Sequence, residues 1–187
     1  FLYKPPMQKL RVVVVSPALA DANNGNWQTA RRWQRLLSGH AVRIVRQWPD
    51  SESRQDDVML ALHARRSAES VQAWHAHKGS QGLGLVLTGT DLYRDIVHDT
   101  QAQTSLSLAH SLVVLQGMGV QSLAPEHQAK TRVILPSTGT RRALPKTSRH
   151  LRVVLVGHLR AEKDPLTLMA AARLLPASAG VFIDHIG

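Results

Sequence analysis

The feature that most constrains the fold of this chain is an alternation between short apolar runs and longer stretches with helical spacing. The runs are almost continuously apolar, which is typical of strands in a parallel sheet with helices on both faces. The predicted strands are residues 12–15, 42–45, 58–62, 85–87, 112–115, 133–135, 153–156 and 181–183. The pattern therefore predicts an α/β protein built from repeated βαβ units.

Helices are predicted between the strands from apolar residues spaced three and four positions apart. The first carries Trp27, Ala30, Trp33 and Leu37 and ends near Gly39. We expect both tryptophans to lie in the core.

Three later helices are predicted to begin after residues that can cap a helix. These N-cap residues are Ser67, Asp99 and Asp164, and Pro165 follows the last of them. Proline suits the first helical turn, because its missing N–H would have no partner there.

Composition changes along the chain predict its domain organisation. Residues 1–10 are interpreted as a leader and residues 11–138 as a first domain. Residues 139–150, which are rich in basic and turn-forming residues, are interpreted as a linker. Residues 151–187 hold only two predicted strands and one helix, too few to cover a sheet. We therefore expect them to be the incomplete start of a second domain.

The charge of the chain favours anionic partners. It has 23 Lys and Arg against 13 Asp and Glu, a formal charge of +10, and no cysteine. The missing thiols exclude disulfide scaffolds, cysteine nucleophiles and cysteine-based zinc sites. No apolar run approaches the roughly 20 residues that span a bilayer. We expect a cytoplasmic protein without a membrane partner.

Residues that directly follow the strands are the first candidates for function, because open parallel sheets bind ligands there. Asn23, Asn24, Gly25 and Asn26 lead into the first helix, whose free N–H groups would favour an anion. A turn with an N-cap explains them equally well. The fifth strand ends in Gln116, which either lines the same crevice or belongs to a simple turn.

His63, Arg65 and Arg66 follow the third strand and directly precede a predicted helix. Two arginines beside a helix N-terminus can clamp a phosphate-like group. Taken alone, they are better explained as a solvated pair next to a helix cap. The loop after the fourth strand changes that balance.

That loop is the strongest single candidate for a site. It offers the hydroxyls of Thr88 and Thr90, the carboxylate of Asp91 and the guanidinium of Arg94. Asp91 could act as a base, accept a hydrogen bond from a substrate hydroxyl, or hold an arginine in place. Tyr93 is expected to pack against the protein.

A second candidate site follows the strand that ends at residue 156. Gly157, His158, Arg160 and Lys163 come directly before the helix that Asp164 starts. Glycine permits close backbone approach and the cations supply charge, so this turn suits a diphosphate. A basic surface turn is the competing explanation.

Several chemistries have no support in the sequence. No Walker A loop or Gly-x-Ser-x-Gly motif is present, which disfavours P-loop ATP hydrolysis and serine-hydrolase activity. His75 and His77 lie two residues apart and do not share a helix face. We therefore expect no metal and no required cofactor.

These motifs resemble the selenosugar synthases of selenoneine biosynthesis, which are similar to retaining, family-4-like GT-B glycosyltransferases. The resemblance runs from about Arg11 to the end of the chain, and its specific motifs are residues 24–26, 62–67, 87–95, 157–160 and 163–165. It implies a Rossmann-like N-terminal domain of a GT-B fold, followed by the first βαβ unit of a second Rossmann-like domain.

The resemblance also implies an activity. Such enzymes transfer a sugar from UDP-N-acetylglucosamine or UDP-glucose to selenophosphate, with formation of a carbon–selenium bond and loss of UDP. In GT-B enzymes an arginine follows the glycine of the second domain. Here His158 holds that position and Lys163 alone matches the pattern, so compensation by His158 or Arg160 stays open. Because most of the sugar-nucleotide domain has no counterpart, we expect little activity from these 187 residues alone.

Site roles follow as hypotheses. Selenophosphate is assigned to the asparagine loop (Asn24, Gly25, Asn26), to the hydroxyls of Thr88 and Thr90, and to the arginines Arg65, Arg66 and Arg94. His63 and Asp91 are expected to orient groups as catalytic residues, and the turn from Gly157 to Lys163 is expected to hold the diphosphate.

Two rival functions stay open. A conventional retaining hexosyltransferase would use a hydroxyl acceptor, with Asp91 or His63 as its base. A basic nucleic-acid-binding α/β module would bind in a strongly salt-dependent way. The chain has few aromatic residues for stacking on bases, so we rank this module below catalysis and expect no nucleic-acid partner.

Overall fold

The main sheet of the protein is parallel and has six strands in the order β2-β1-β3-β4-β5-β6. The computed structural model describes residues 8–22 and 24–187, so Asn23 and most of the predicted leader lie outside the described residues. The strands are β1 (Arg11–Val15), β2 (Ala41–Val45), β3 (Val58–Leu62), β4 (Leu83–Leu87), β5 (Ser111–Val114) and β6 (Thr131–Val133). The predicted Rossmann-like parallel architecture is confirmed, although β6 lies two residues earlier than expected.

Helices connect these strands. They are α1 (Gly25–Leu36), α2 (Ala68–Lys78), α3 (Ile96–His98), α4 (Thr100–Leu108) and α5 (Pro125–Gln128). A π-helical turn over Asp91–Asp95 leads directly into α3. This turn, together with the loop after β3, carries the candidate site.

Helices cover both faces of the sheet, and each face has its own core. Val13 and Val15 of β1 pack on one face with Trp74 of α2 and Leu106 of α4. Val14 packs on the other face with Ala30, Leu62 and Val86, which are joined by α1 side chains. Because successive residues of a strand point to opposite faces, the valine run of β1 supplies both cores.

The expectation that Trp27 and Trp33 are core residues is wrong, since both are only half-buried. Trp33 packs against the edge of the second core, where Ala30 alone among α1 residues is fully buried. α1 therefore contacts the sheet through its small residue, and its tryptophans lie along the flanks of that contact.

Two of the three predicted N-caps are confirmed. Asp99 accepts a hydrogen bond from Ala102 N at 2.8 Å, and Asp164 accepts one from Thr167 N at 3.4 Å. Ser67 precedes α2 but makes no cap bond, because its Oγ donates to Leu62 O at 2.6 Å. The last carbonyl of β3 therefore takes the hydroxyl that was predicted to cap the helix.

Contacts divide the chain after Gly139 into two compact units, which we describe separately. In the second unit, β7 (Leu151–Val156), α6 (Pro165–Arg173) and β8 (Val181–Ile186) form one βαβ unit with parallel strands. β8 continues past the predicted end at residue 183. Residues 134–150 have no helix or strand and are exposed. Across the described residues, no helix has both the length and the apolarity needed to cross a membrane.

Candidate functional site

The loops that follow β3 and β4 lie side by side at the carboxyl edge of the main sheet. β3 and β4 are neighbours in register, with Leu62 opposite Val86, and His63 N donates to Val86 O at 2.9 Å. The His63 stretch and the Thr88 stretch therefore meet, as expected for the ends of adjacent parallel strands.

Asp91 fastens these two loops together. Its buried carboxylate accepts hydrogen bonds from Ala64 N at Oδ2 and from Thr88 N and Gly89 N at Oδ1, each at 2.9 Å. Of the three roles considered from the sequence, the structure shows neither contact with an arginine nor an oxygen without a backbone donor among the described residues. Asp91 therefore acts as a structural anchor of the site.

His63 is buried at the turn between β3 and α2 and has a positive φ of 74°. Such backbone is uncommon for a residue other than glycine, and it occurs preferentially at functional sites. Its Nδ1 accepts from Arg66 N at 3.4 Å, and its Nε2 lies 3.3 Å from Thr90 Oγ1. This pattern assigns the ring proton to Nε2, which then donates to Thr90.

Burial lowers the pKa of His63 below its usual value. The nearby Arg66 and Arg65 lower it further, whereas Asp91 and Asp95 oppose the shift. The imidazole is therefore neutral at neutral pH. In that state it can donate one hydrogen bond through Nε2 while Nδ1 is occupied.

Asp95 is the site residue that the sequence analysis missed. Its buried carboxylate lies 3.0 Å from Arg94 Nε through Oδ1 and 3.1 Å from Arg65 Nε through Oδ2. The distance from Oδ2 to His63 Nε2 is 3.8 Å. One available signal was its position four residues after Asp91, which places both acids on the inner side of a helical turn.

Two opposing influences act on the pKa of Asp95. Burial raises it, but the hydrogen bond from Arg94 and the charges of Arg65, Arg94 and His63 lower it, and the net shift is downward. The carboxylate is therefore charged at neutral pH. A charged, buried acid can hold two arginines that would otherwise repel each other.

We call Arg65 and Arg94 the arginine pair. Their side chains are 42% and 57% exposed, whereas the side chain of Asp95 is 6% exposed. Each is held through Nε, the atom nearest the backbone in the guanidinium group. The pair is therefore anchored at its base while its outer surface reaches solvent, an arrangement suited to anions such as phosphate.

The other predicted residues of the first unit have different surroundings. The Arg66 side chain is exposed, and its backbone N–H serves His63. Asn24 Oδ1 accepts from Asn26 N at 3.1 Å and Trp27 N at 3.2 Å, so the N-cap interpretation is confirmed. None of the contacts described for Asn24 to Asn26 reaches the arginine pair, and a ligand role for this loop stays a prediction.

The expectation that Tyr93 packs against the protein is wrong. Its side chain is 54% exposed, because Leu92 and Ile96 take the inward positions of the π-helical turn and of α3. Its hydroxyl accepts a hydrogen bond from Gln116 Nε2, and Gln116 Oε1 accepts from Met118 N at 2.7 Å. The polar end of β5 therefore joins the same edge.

In the second unit, Gly157 and Lys163 lie together. Gly157 has a φ of 133°, and a Cβ added there would lie 3.5 Å from Lys163 Cε. His158 and Arg160 are exposed on the same turn. The structure therefore brings the lysine of the predicted diphosphate turn over its glycine.

A pocket of about 140 Å³ lies elsewhere on the first unit, between α1 and the segment that follows β6. None of the predicted site residues lines it. Its lining residues are Gln28, Thr29, Arg32, Trp33, Leu115, Pro136 and Ser137.

Comparison with protein-family models and with curated proteins finds no match to the chain. Within residues 8–22 and 24–187, no group of three or more His, Asp or Glu side chains is arranged to hold a metal ion.

Proposed function

We propose that this protein is a glycosyltransferase that transfers a sugar from a UDP-sugar, UDP-N-acetylglucosamine or UDP-glucose, to selenophosphate. The observation that carries the proposal is the arginine pair, held by buried Asp95 at the carboxyl edge of the sheet beside a neutral His63. The first unit would bind the acceptor, and the turn from Gly157 to Lys163 would bind the donor diphosphate.

The arginine pair supports an acceptor that carries a phosphate group. Two guanidiniums anchored on one carboxylate offer several N–H donors to one tetrahedral anion, and both are partly exposed. The hydroxyl of Thr90 lies within 3.3 Å of His63 Nε2 at the same edge and adds a polar group. Such a site orients the acceptor and reduces the entropy lost in reaching the transition state.

The state of the two candidate bases favours selenophosphate over a sugar hydroxyl. Backbone donors occupy both oxygens of Asp91, and His63 accepts from Arg66 at Nδ1 while its proton lies on Nε2. A hydroxyl acceptor needs a general base to remove its proton. A selenium nucleophile, like a thiol, ionises readily and needs that help less.

In the proposed reaction, an electron pair of the ionised selenium forms the bond to the anomeric carbon. The bond from that carbon to the diphosphate oxygen breaks, and UDP leaves with the bonding electrons. Lys163, which lies over Gly157, would stabilise the negative charge that develops on the leaving diphosphate.

The test is a transfer assay with the intact protein and a UDP-sugar. Selenophosphate, a sugar with free hydroxyls, and buffer alone are offered in parallel, while UDP release is followed and products are weighed by mass spectrometry. We expect UDP release and a product containing selenium with selenophosphate only. Release with the sugar acceptor, and none with selenophosphate, would instead identify a conventional hexosyltransferase.

A further inference from the structure

We infer that Asp95 is a positioning residue of the acceptor site: it fixes Arg65 and Arg94 as a pair that binds one phosphate-class anion. The inference rests on the proposed function and names a residue that the motif-based assignment did not include. Asp95 would not touch the acceptor, because its carboxylate is buried beneath the two arginines.

The geometry separates Asp95 from an ordinary surface ion pair. One carboxylate serves arginines from two loops, with Arg65 on Oδ2 and Arg94 on Oδ1. Surface ion pairs are weak because both partners are solvated and mobile. Here the acid is buried and its turn is anchored by Asp91, so the two cations have a rigid common partner.

Oδ2 of Asp95 shows that this partner has capacity in reserve. Among the described residues it receives no directed hydrogen bond, although Arg65 Nε lies 3.1 Å away. A buried carboxylate oxygen without such a bond is costly, so a small rotation of Arg65 toward it is favourable. An anion that draws the outer nitrogens of the pair together would favour that rotation.

Simple charge and positioning predict opposite effects of neutralising Asp95. If the acid acted only as a countercharge, its removal would leave the arginines more positive and strengthen anion binding. If it positions the pair, removal lets the two like charges separate and weakens binding. The direction of the change therefore decides between the two roles.

The experiment measures binding of inorganic phosphate to the chain by titration calorimetry. We expect Asp95→Asn to weaken binding by about tenfold or more, the size of a lost charge-assisted contact. The control Glu52→Gln makes the same charge change beside Arg11, at the opposite edge of the sheet, and should leave phosphate affinity unchanged. Equal or tighter binding by Asp95→Asn would overturn the inference.

A double-mutant cycle tests the partnership itself. Arg65→Lys keeps the charge but loses the planar fork, so it should also weaken phosphate binding. Asp95→Asn should then cost less affinity in the Arg65→Lys background than in the wild type, because the two residues act together. Strictly additive losses would contradict a shared role.

The wild-type protein carries the test if Asp95→Asn does not fold. The Nε–H signals of Arg65 and Arg94 in nitrogen-correlated NMR spectra should exchange slowly with water, and phosphate should leave them bound to Asp95. Rapid exchange of both signals would overturn the inference. Phosphate binding that responds as predicted, together with absent sugar transfer, would refute only the proposed function.

Discussion

The carboxylate of Asp91 accepts a hydrogen bond at 2.9 Å from the backbone N–H of Ala64, a residue in the loop of the neighbouring strand. This bond joins the loop after β3 to the loop after β4. The same carboxylate also gathers two N–H groups of its own loop. The arginine pair can be held by one acid because Asp91 keeps the two loops together.

The Asp91 anchor predicts a loss of stability when its charge is removed. Asp91→Asn replaces one accepting oxygen with a donor that faces backbone N–H groups, so we expect the free energy of unfolding to fall by about 3 kcal/mol. Denaturant unfolding measures the change. In the control Asp57→Asn, an exposed carboxylate loses its bond from Arg11 N, and the cost should stay below about 1 kcal/mol. Equal costs would show that Asp91 is no special anchor.

The arginine pair predicts a selective effect on the acceptor. In the intact protein, Arg65→Ala or Arg94→Ala should raise the KM for selenophosphate by about tenfold or more, while the KM for the UDP-sugar changes little. Arg11→Ala removes an arginine at the opposite edge of the sheet and is the matched control. Steady-state kinetics with each substrate varied in turn measure the effect. Unchanged selenophosphate kinetics would remove the pair from the acceptor site.

The buried, neutral His63 predicts acid-sensitive stability. Its pKa is lowered in the folded protein, so below about pH 6.5 the unfolded chain binds a proton that the folded chain does not. The free energy of unfolding should therefore be constant above this pH. It should fall as the pH decreases, by up to about 1.4 kcal/mol per pH unit, until the folded pKa is reached.

The variant His63→Asn should lose this part of the pH dependence, because asparagine tolerates a positive φ and does not titrate. His127, whose pKa is lowered by burial and by Lys130, contributes a similar slope and remains in that variant. His127→Asn therefore serves as the comparison. Chemical unfolding at intervals from pH 5 to 7.5 measures all three proteins. An unaltered profile in His63→Asn would contradict a neutral, buried His63.

Lys163 predicts an effect on the donor side. If it stabilises the leaving diphosphate, Lys163→Ala should lower kcat for transfer by roughly 10- to 100-fold, since it removes one charge that acts in the transition state. Arg173→Ala removes a cation from the last turn of α6 and should leave kcat unchanged. Initial rates at saturating substrates provide the measurement. An unchanged kcat in Lys163→Ala would exclude it from the leaving-group site.

Much of the fold could be predicted from local patterns. Short apolar runs marked every strand of both sheets, because a strand covered on both faces must be apolar along its whole length. Asp99 and Asp164 could be recognised as caps, since the bond from a cap to the helix spans only a few residues.

The errors came where a side chain chose a distant partner or a particular depth. Ser67 serves the carbonyl of Leu62 instead of its helix, and Tyr93 bonds to Gln116 instead of packing inside. Trp33 lies at the border of a core that Ala30 occupies. Spacing along the chain sets which residues share a face, but it does not set how closely that face approaches the sheet.

The candidate site divides in the same way. The sequence alone determined that His63, Arg65, Asp91 and Arg94 follow neighbouring strands, and so that they share an edge. The tertiary structure alone decided that Asp91 is occupied by backbone donors and that Asp95 holds both arginines. Those bonds depend on distances between separate loops, which are set when the strands pair and the acids are buried.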